Sequence, residues 1–317
     1  MPTRDQLLAL TDELRRLKAG GERRVAVADE SLELLRAAVK IRAAEWTEAT
    51  VVADVAEVAA VEVRSPEPIP FAPREISVPV AAVPRAAPLP GPAKFSAAPP
   101  VVPVLAGDKT ARWEALRELV RNDPVCRAQA GPGKKIVLGA GSLEAAIVFI
   151  GEAPGAEEEV QGEPFVGEAG QLLTKMIQGM GPRREQVYLC NVMNWRPAIP
   201  TGPGDVQLGN RPPTAEEMNY CLPYLRAQIE IVQPQVIVAL GATAAGALLG
   251  AHTFKALGEI KGRWHEFAGR PVMVTYHPSY VLRSNSSRAK RAVWEDLLQV
   301  MERVGLTPTE KQRGFFL

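Results

Sequence analysis

Three polar residues, Glu152, Asn191 and His277, stand where apolar runs end, and together they can handle a neutral, planar ligand rich in hydrogen-bonding edges. Glu152 comes just after Ala145-Ala-Ile-Val-Phe-Ile150, Asn191 closes Gln186-Val-Tyr-Leu-Cys190, and His277 follows Val272-Met-Val-Thr-Tyr276. Short branched runs of this kind read as buried strands. A carboxylate can orient water, an amide offers an acceptor beside two donors, and an imidazole can donate to developing negative charge. Around Glu152 the chain reads Gly151-Glu-Ala-Pro-Gly-Ala-Glu-Glu-Glu-Val-Gln-Gly-Glu-Pro-Phe165-Val-Gly-Glu-Ala-Gly170. A strand, a glycine-rich loop and then a helix (Gln171-Leu-Leu-Thr-Lys-Met-Ile177) is how α/β folds bring backbone N–H groups to a ligand. The glutamates at 152, 157, 158, 159 and 163 would repel phosphate, and no GxxxxGK[ST] pattern is present. The loop suits chemistry on a largely uncharged group.

The elements that must position these residues follow in order. Trp113, Leu116, Leu119 and Val120 lie at helical spacing in 110–121, and Asp123-Pro124 stops that helix. Thr214-Ala-Glu-Glu217 opens a helix with a capping-box pattern, and its apolar positions run to about Val232. A buried strand at 235–240, a helix at 242–249 and a closing helix at 289–304 complete the series. Strands alternating with helices predict a three-layer α/β/α fold around a mostly parallel sheet of about four strands. Ligand sites in such sheets lie beyond the carboxyl ends of the strands, so Glu152, Asn191 and His277 should converge.

Outside this domain, placed at 108–306 with a tail at 307–317, the composition changes. From Ser65 to Val104 the chain holds 12 of its 28 prolines, which predicts an extended, disordered linker over 65–107. Residues 1–64 carry two amphipathic helical patterns, at 3–18 and 30–41, that could pack on the domain, recruit a protein partner or pair with another copy. The formal charge is +1, so any nucleic-acid contact must come from local clusters. No apolar run approaches the roughly 18 residues needed to span a membrane, and the first residues lack a signal-peptide pattern. Three scattered cysteines, at 126, 190 and 221, do not make a disulfide framework. A monomer with reduced thiols in the cytoplasm is the expectation.

Four ordered blocks add a resemblance: GEAPGAEEEVQGEPFVGEAGQLL, VYLCNVMNWRP, IVALGATAAGALLG and TYHPSYVLR. Over residues 112–304 they are similar to the successive motifs of family 4 uracil-DNA glycosylases. The resemblance implies flipping of uracil from DNA and hydrolysis of its N-glycosidic bond by water, leaving an abasic site. His277 then resembles the donor to uracil O2, worth about 3–4 kcal/mol at the transition state. Asn191 would accept from uracil N3–H and donate to O4, Phe165 would stack on the extruded base, and Glu152 and Ala153 would wall the pocket. Ala153 stands where other glycosylase families place a water-activating aspartate, which leaves Glu158 as the first candidate to position water and Glu152 as the second. Ser279, Tyr280, Val281, Leu282 and Arg283 resemble the loop that enters the DNA as the base leaves, with Val281 and Leu282 filling the gap. Arg283 and Arg288 would meet phosphates.

The chain departs from the family at its [4Fe-4S] cluster. At the four cysteine positions stand Asp123, Cys126, Trp195 and Cys221, and thiolates normally supply all four ligands. The cluster is expected to be lost, with no other metal or cofactor in its place and with Trp195 and its neighbours packing there. Two other readings stay open at this level, a non-catalytic DNA-lesion binding module and an enzyme acting on free nucleosides.

Overall fold

The structure is a computed structural model that describes residues 95–201, 207, 209–250 and 252–316. The two N-terminal helical patterns and most of the proline-rich stretch lie outside the described residues. Elements are numbered here within that range. The helices α1 (Lys109–Asn122) and α2 (Pro124–Ala130) precede a sheet of β1 (Ala140–Gly141), β2 (Ile147–Gly151), β3 (Tyr188–Asn191), β4 (Val236–Leu240), β5 (Trp264–Phe267) and β6 (Arg270–Thr275). Between and after the strands run α3 (Ala156–Gln161), α4 (Glu168–Met180), α5 (Ala215–Val232), α6 (Gly241–Leu249), α7 (Pro278–Ser284), α8 (Ser287–Arg303) and α9 (Glu310–Arg313).

The strand order is β1-β3-β2-β4-β6-β5. The four inner strands are mutually parallel, as expected, and each edge adds one short antiparallel strand, making six. Both edges escaped the sequence reading because a two-residue bridge and the four residues Trp264–Phe267 are too short to show a period. The inner strands are buried on both faces, which explains their unbroken apolar runs. Alternate residues feed separate cores. Ile147 and Phe149 pack with Leu173, Ile177, Trp294 and Leu297 from α4 and α8. Val148 and Ile150 pack with Leu225, Ile229, Ala244 and Leu248 from α5 and α6. Helices thus cover both faces, and the chain leaves the carboxyl ends of β2, β3 and β6 on one side.

A third apolar cluster joins α1, α2 and α5 around Trp195, Tyr220 and Cys221. Phe95, Ala97, Val102 and Leu105 pack against it, so the last part of the stretch assigned to the linker is bound to the domain. Four apolar side chains spread among its alanines and prolines are enough to dock it without helix or strand. The C-terminal tail is likewise held. The Trp294 indole N–H donates to the Gln312 carbonyl at 2.5 Å, and the Gln312 side chain donates to the Gly179 carbonyl at 2.8 Å. Among the described residues no helix is long and apolar enough to cross a membrane.

Candidate active site

The residues singled out at the strand ends do come together. A cavity of about 790 Å³ is lined by Glu152, Ala153, Phe165, Asn191 and His277, with Ser279, Tyr280 and Arg283 at its α7 side. Gly151 makes the closest approach possible, because a Cβ there would collide with the Asn191 Oδ1 and the Phe165 ring. Gly241 does the same for the histidine: its φ is +90°, and a Cβ would lie 3.1 Å from the His277 Cβ. The Asn191 side chain is 6% exposed, closes β3, and has no hydrogen bond to protein among the described residues.

His277 caps α7, and its ring is set by the turn that follows. Nδ1 accepts the Ser279 backbone N–H at 3.1 Å and lies 2.9 Å from Ser279 Oγ. An accepting Nδ1 places the proton on Nε2, which makes the ring a donor on its other side. Burial, helped by the nearby Arg283 guanidinium, pushes the imidazole down to about 4. At neutral pH it is an uncharged donor. The strand behind it is braced by a buried network in which Thr275 Oγ1 donates to Asp296 at 2.6 Å and Lys261 pairs with the same carboxylate at 2.9 Å.

Phe165 sits beside the histidine, its ring centroid 6.2 Å away and its plane tilted by 29°. It is 6% exposed and holds a φ of +57°, a left-handed conformation that a phenylalanine adopts only under constraint. The constraint is visible on both sides. Arg184 donates to the Pro164 carbonyl at 2.6 Å. Glu158 reaches back from α3, with Oε2 accepting the Gly155 N–H at 2.9 Å and Oε1 accepting the N–H groups of Val166 at 3.1 Å and Gly167 at 3.0 Å.

The two glutamates expected to steer water both line the cavity but differ in surroundings: both Glu158 oxygens accept loop N–H groups, whereas the Glu152 carboxylate has no hydrogen bond to protein among the described residues. A correction concerns the DNA-entering segment. His277-Pro-Ser-Tyr-Val-Leu-Arg283 is a short helix, not a loop, and Val281 is 1% exposed within the first core cluster. A residue one turn from the buried Pro278 has to face inward, so Val281 is packing. Tyr280, 43% exposed and stacked on Tyr276 at 4.7 Å, is the prominent outward apolar group, with Leu282 half-buried and Arg283 and Arg288 exposed.

The sequence reading missed Asn210 and Arg211, which line the far wall. Arg211 is clamped by both Glu217 oxygens at 2.8 and 2.6 Å, and Arg196 holds the same segment through Glu159 at 2.8 Å and Asn210 at 2.7 Å. The cue in the sequence was faint: an arginine six residues before the glutamate of a capping box. Its meaning depends on where the loop folds.

Comparison with known proteins bears on the same residues. A family model for the uracil DNA glycosylase superfamily matches residues 138–298, about half the chain and every residue that lines the cavity. The chain belongs to the uracil-DNA glycosylase superfamily, on its type-4 branch. It is 44% identical to the type-4 uracil-DNA glycosylase of Thermotoga maritima over 163 residues, 51% of this chain and 79% of that protein. With the type-4 enzyme of Pyrobaculum aerophilum it shares 39% over 183 residues, 56% of this chain and 88% of the relative. With that of Archaeoglobus fulgidus it shares 41% over 177 residues, 53% and 84% respectively.

Against that family background the corner around Cys126 and Cys221 is unusual. Asp123 caps α2 by accepting the Cys126 N–H at 2.7 Å, and it also takes the hydroxyls of Tyr220 at 2.8 Å and Tyr224 at 2.9 Å. Burial alone would raise this carboxyl, but the Cys126 N–H and the two phenols outweigh it and hold it below the ordinary carboxylate range. Burial pushes both thiols up. Trp195, 1% exposed, lies 6.1 Å from both Phe95 and Tyr220, ring centroid to centroid. Two thiols, an engaged aspartate and an indole do not supply the four thiolates of a [4Fe-4S] cluster. Among the described residues no group of three or more His, Cys, Asp or Glu could hold a metal ion.

Proposed function

We propose that this chain removes uracil from DNA by hydrolysing the N-glycosidic bond, with water as nucleophile and an abasic site as product. The observation that carries the reading is the neutral His277, whose Nδ1 is occupied so that Nε2–H is left to donate into a cavity shared with Asn191 and Phe165. As the bond to the base breaks, electrons move onto uracil and charge builds on O2. A donor already fixed in place stabilises that charge without reorganising. A neutral donor suits the task, since a charged ring would bind the ground state more strongly too.

Asn191 reads the base edge. Its Oδ1 accepts N3–H and its amide donates to O4, whereas cytosine offers an acceptor at N3 and a donor at N4. The wrong base would leave two buried polar atoms facing like partners. Phe165 supplies a flat apolar face for an extruded base. Glu152 orients the water, and Glu158 acts as a positioning residue that holds Phe165 through the loop backbone. Tyr280, Leu282 and Arg283 lie on the DNA side, with Ser279 fixing the histidine. Arg288 adds a phosphate contact.

The reading includes loss of the [4Fe-4S] cluster, supported by the engaged Asp123 and the buried indole in the third ligand position. Iron assay of anaerobically purified protein should find no stoichiometric iron. Incubation of full-length protein with a uracil-containing oligonucleotide, followed by alkaline cleavage, should give a single cut at uracil and none at thymine or cytosine. An intact oligonucleotide, under conditions where a known uracil-DNA glycosylase acts, overturns the function.

A further inference from the structure

A second cavity, of about 850 Å³, lies between α1, α2 and the end of α3. Arg121, Arg127, Lys134 and Lys135 line it, and among the described residues no carboxylate does. Four cations around one space are a marked concentration in a chain of net charge +1. Arg121 and Arg127 are exposed, in the last turns of α1 and α2, and neither side chain has a hydrogen bond or ion pair among the described residues. Lys134 is partly neutralised, because it shares the buried Glu159 with Arg196. Lys135 donates to the Gln161 carbonyl at 3.3 Å and has no ion pair among the described residues.

The cavity opens at the same end of the sheet as the active site. The Lys135 N–H donates to the Glu159 carbonyl at 2.7 Å, and the Val137 N–H donates to the Asn194 carbonyl at 2.8 Å. The basic segment therefore runs beside α3 and beside the chain that continues from β3 past Asn191. The opposite end of α3, with Gly155, Glu157 and Glu158, lines the active-site cavity. A helix this short spans about 9 Å. At roughly 3.4 Å of rise per nucleotide on one strand, that is about three nucleotides.

We propose that this basic cavity holds backbone phosphates of the DNA strand that carries the flipped base, a few nucleotides from the lesion. The proposal rests on the reading of the chain as an enzyme acting on DNA. Charge without an aromatic ring fits a backbone better than a free nucleotide, whose base would have nothing to stack on among the lining residues. The substituted corner contributes directly. Asp123 ties down the start of α2, and the Arg127 N–H donates to its carbonyl at 3.0 Å, so the aspartate that stands in a cysteine position also fixes the helix that presents Arg127.

The test compares wild-type full-length protein with the double variant Arg121→Gln/Arg127→Gln and with Arg121→Lys/Arg127→Lys. Binding to a fluorescent uracil-containing oligonucleotide is measured across a salt series, alongside excision kinetics. Each lost phosphate contact should lower the slope of log K against log salt by about 0.7–0.9. The glutamine pair should thus lose about 1–2 in slope and raise KM several-fold, while the lysine pair restores both. An unchanged slope and affinity in the glutamine pair overturns the proposal. So does saturable binding of inorganic phosphate or a mononucleotide that the glutamine pair abolishes while the DNA slope stays put, since that marks a small-anion site. If wild-type protein excises nothing but the slope still falls, the phosphate site stands and the catalytic reading fails.

Discussion

Asn191 and Trp195 are near neighbours in sequence, yet they belong to regions shaped by different demands. Around the active-site cavity each group is placed by what it must meet: the Asn191 amide has no protein partner among the described residues, His277 is held in one tautomer, and Phe165 is kept at a φ of +57°. Around Trp195 the polar groups are met only in part: Asp123 takes two phenols and a backbone N–H, while the buried Trp195 Nε1 and Asn194 Nδ2 have no hydrogen-bond partner among the described residues. A site that must meet a particular ligand tolerates few residue types. A site that must only be filled accepts many, even with an indole N–H left over, which is why an aspartate, an indole and two phenols can occupy a corner where the family resemblance implies iron and sulfur.

Breaking the first region should be felt as chemistry. His277→Ala is expected to lower kcat by about 10²–10³, the effect of removing one preorganised donor, while oligonucleotide affinity changes little. Single-turnover excision alongside anisotropy binding separates the two. Asn191→Asp should bring excision of uracil and cytosine closer together, because the carboxylate cannot donate to O4 and, once protonated, can donate to cytosine N3. A panel of matched oligonucleotides reads that ratio.

Breaking the second region should be felt as stability. Asp123→Ala removes a helix cap and strands two phenols, for a loss of about 2–3 kcal/mol seen in denaturant melts, with excision by the folded fraction retained. The aspartate is held below its ordinary range, so its stabilisation is present above the unfolded carboxylate value and is lost as pH falls through the folded one. An acid melt of Asp123→Asn should show a weaker pH dependence in that window than wild type.

The smallest expected effect is an absence, and it sharpens the contrast. With His277 lowered to about 4, the acid limb it contributes to kcat/KM should fall near that value, and nothing should titrate near 6.5 on its account. An acid limb near 6.5 that disappears in His277→Ala would show that the ring is not buried as described. The same shift has a cost for folding. Between about 4 and 6.5 the unfolded chain binds a proton that the folded histidine refuses, so stability contributed by the neutral ring declines as pH falls through that range.

Much of this was legible in the chain itself. The runs 145–150, 235–240 and 272–276 gave the inner strands because parallel strands covered on both faces must be apolar throughout, and the capping box at Thr214 marked the start of α5 within a residue. Edge strands were not legible, since two to four residues carry no period. Nor was the docking of Phe95 and Leu105, which depends on a surface built mainly from residues beyond the linker. Val281 and Glu158 show the same limit inside the site. A valine in a motif can face DNA or core, and a glutamate in a loop can face water or backbone, and the one-dimensional pattern is identical in each case.

The sequence by itself determined that an α/β sheet would bring Glu152, Asn191 and His277 to one end, because strand polarity and connection rules leave few alternatives. Only the tertiary structure decided which carboxylate stays free, which face of α7 is buried, and how Asp123 is satisfied. Those outcomes turn on distances that exist only in the folded chain, from the phenols that reach Asp123 to the three N–H bonds that Glu158 accepts and Glu152 lacks.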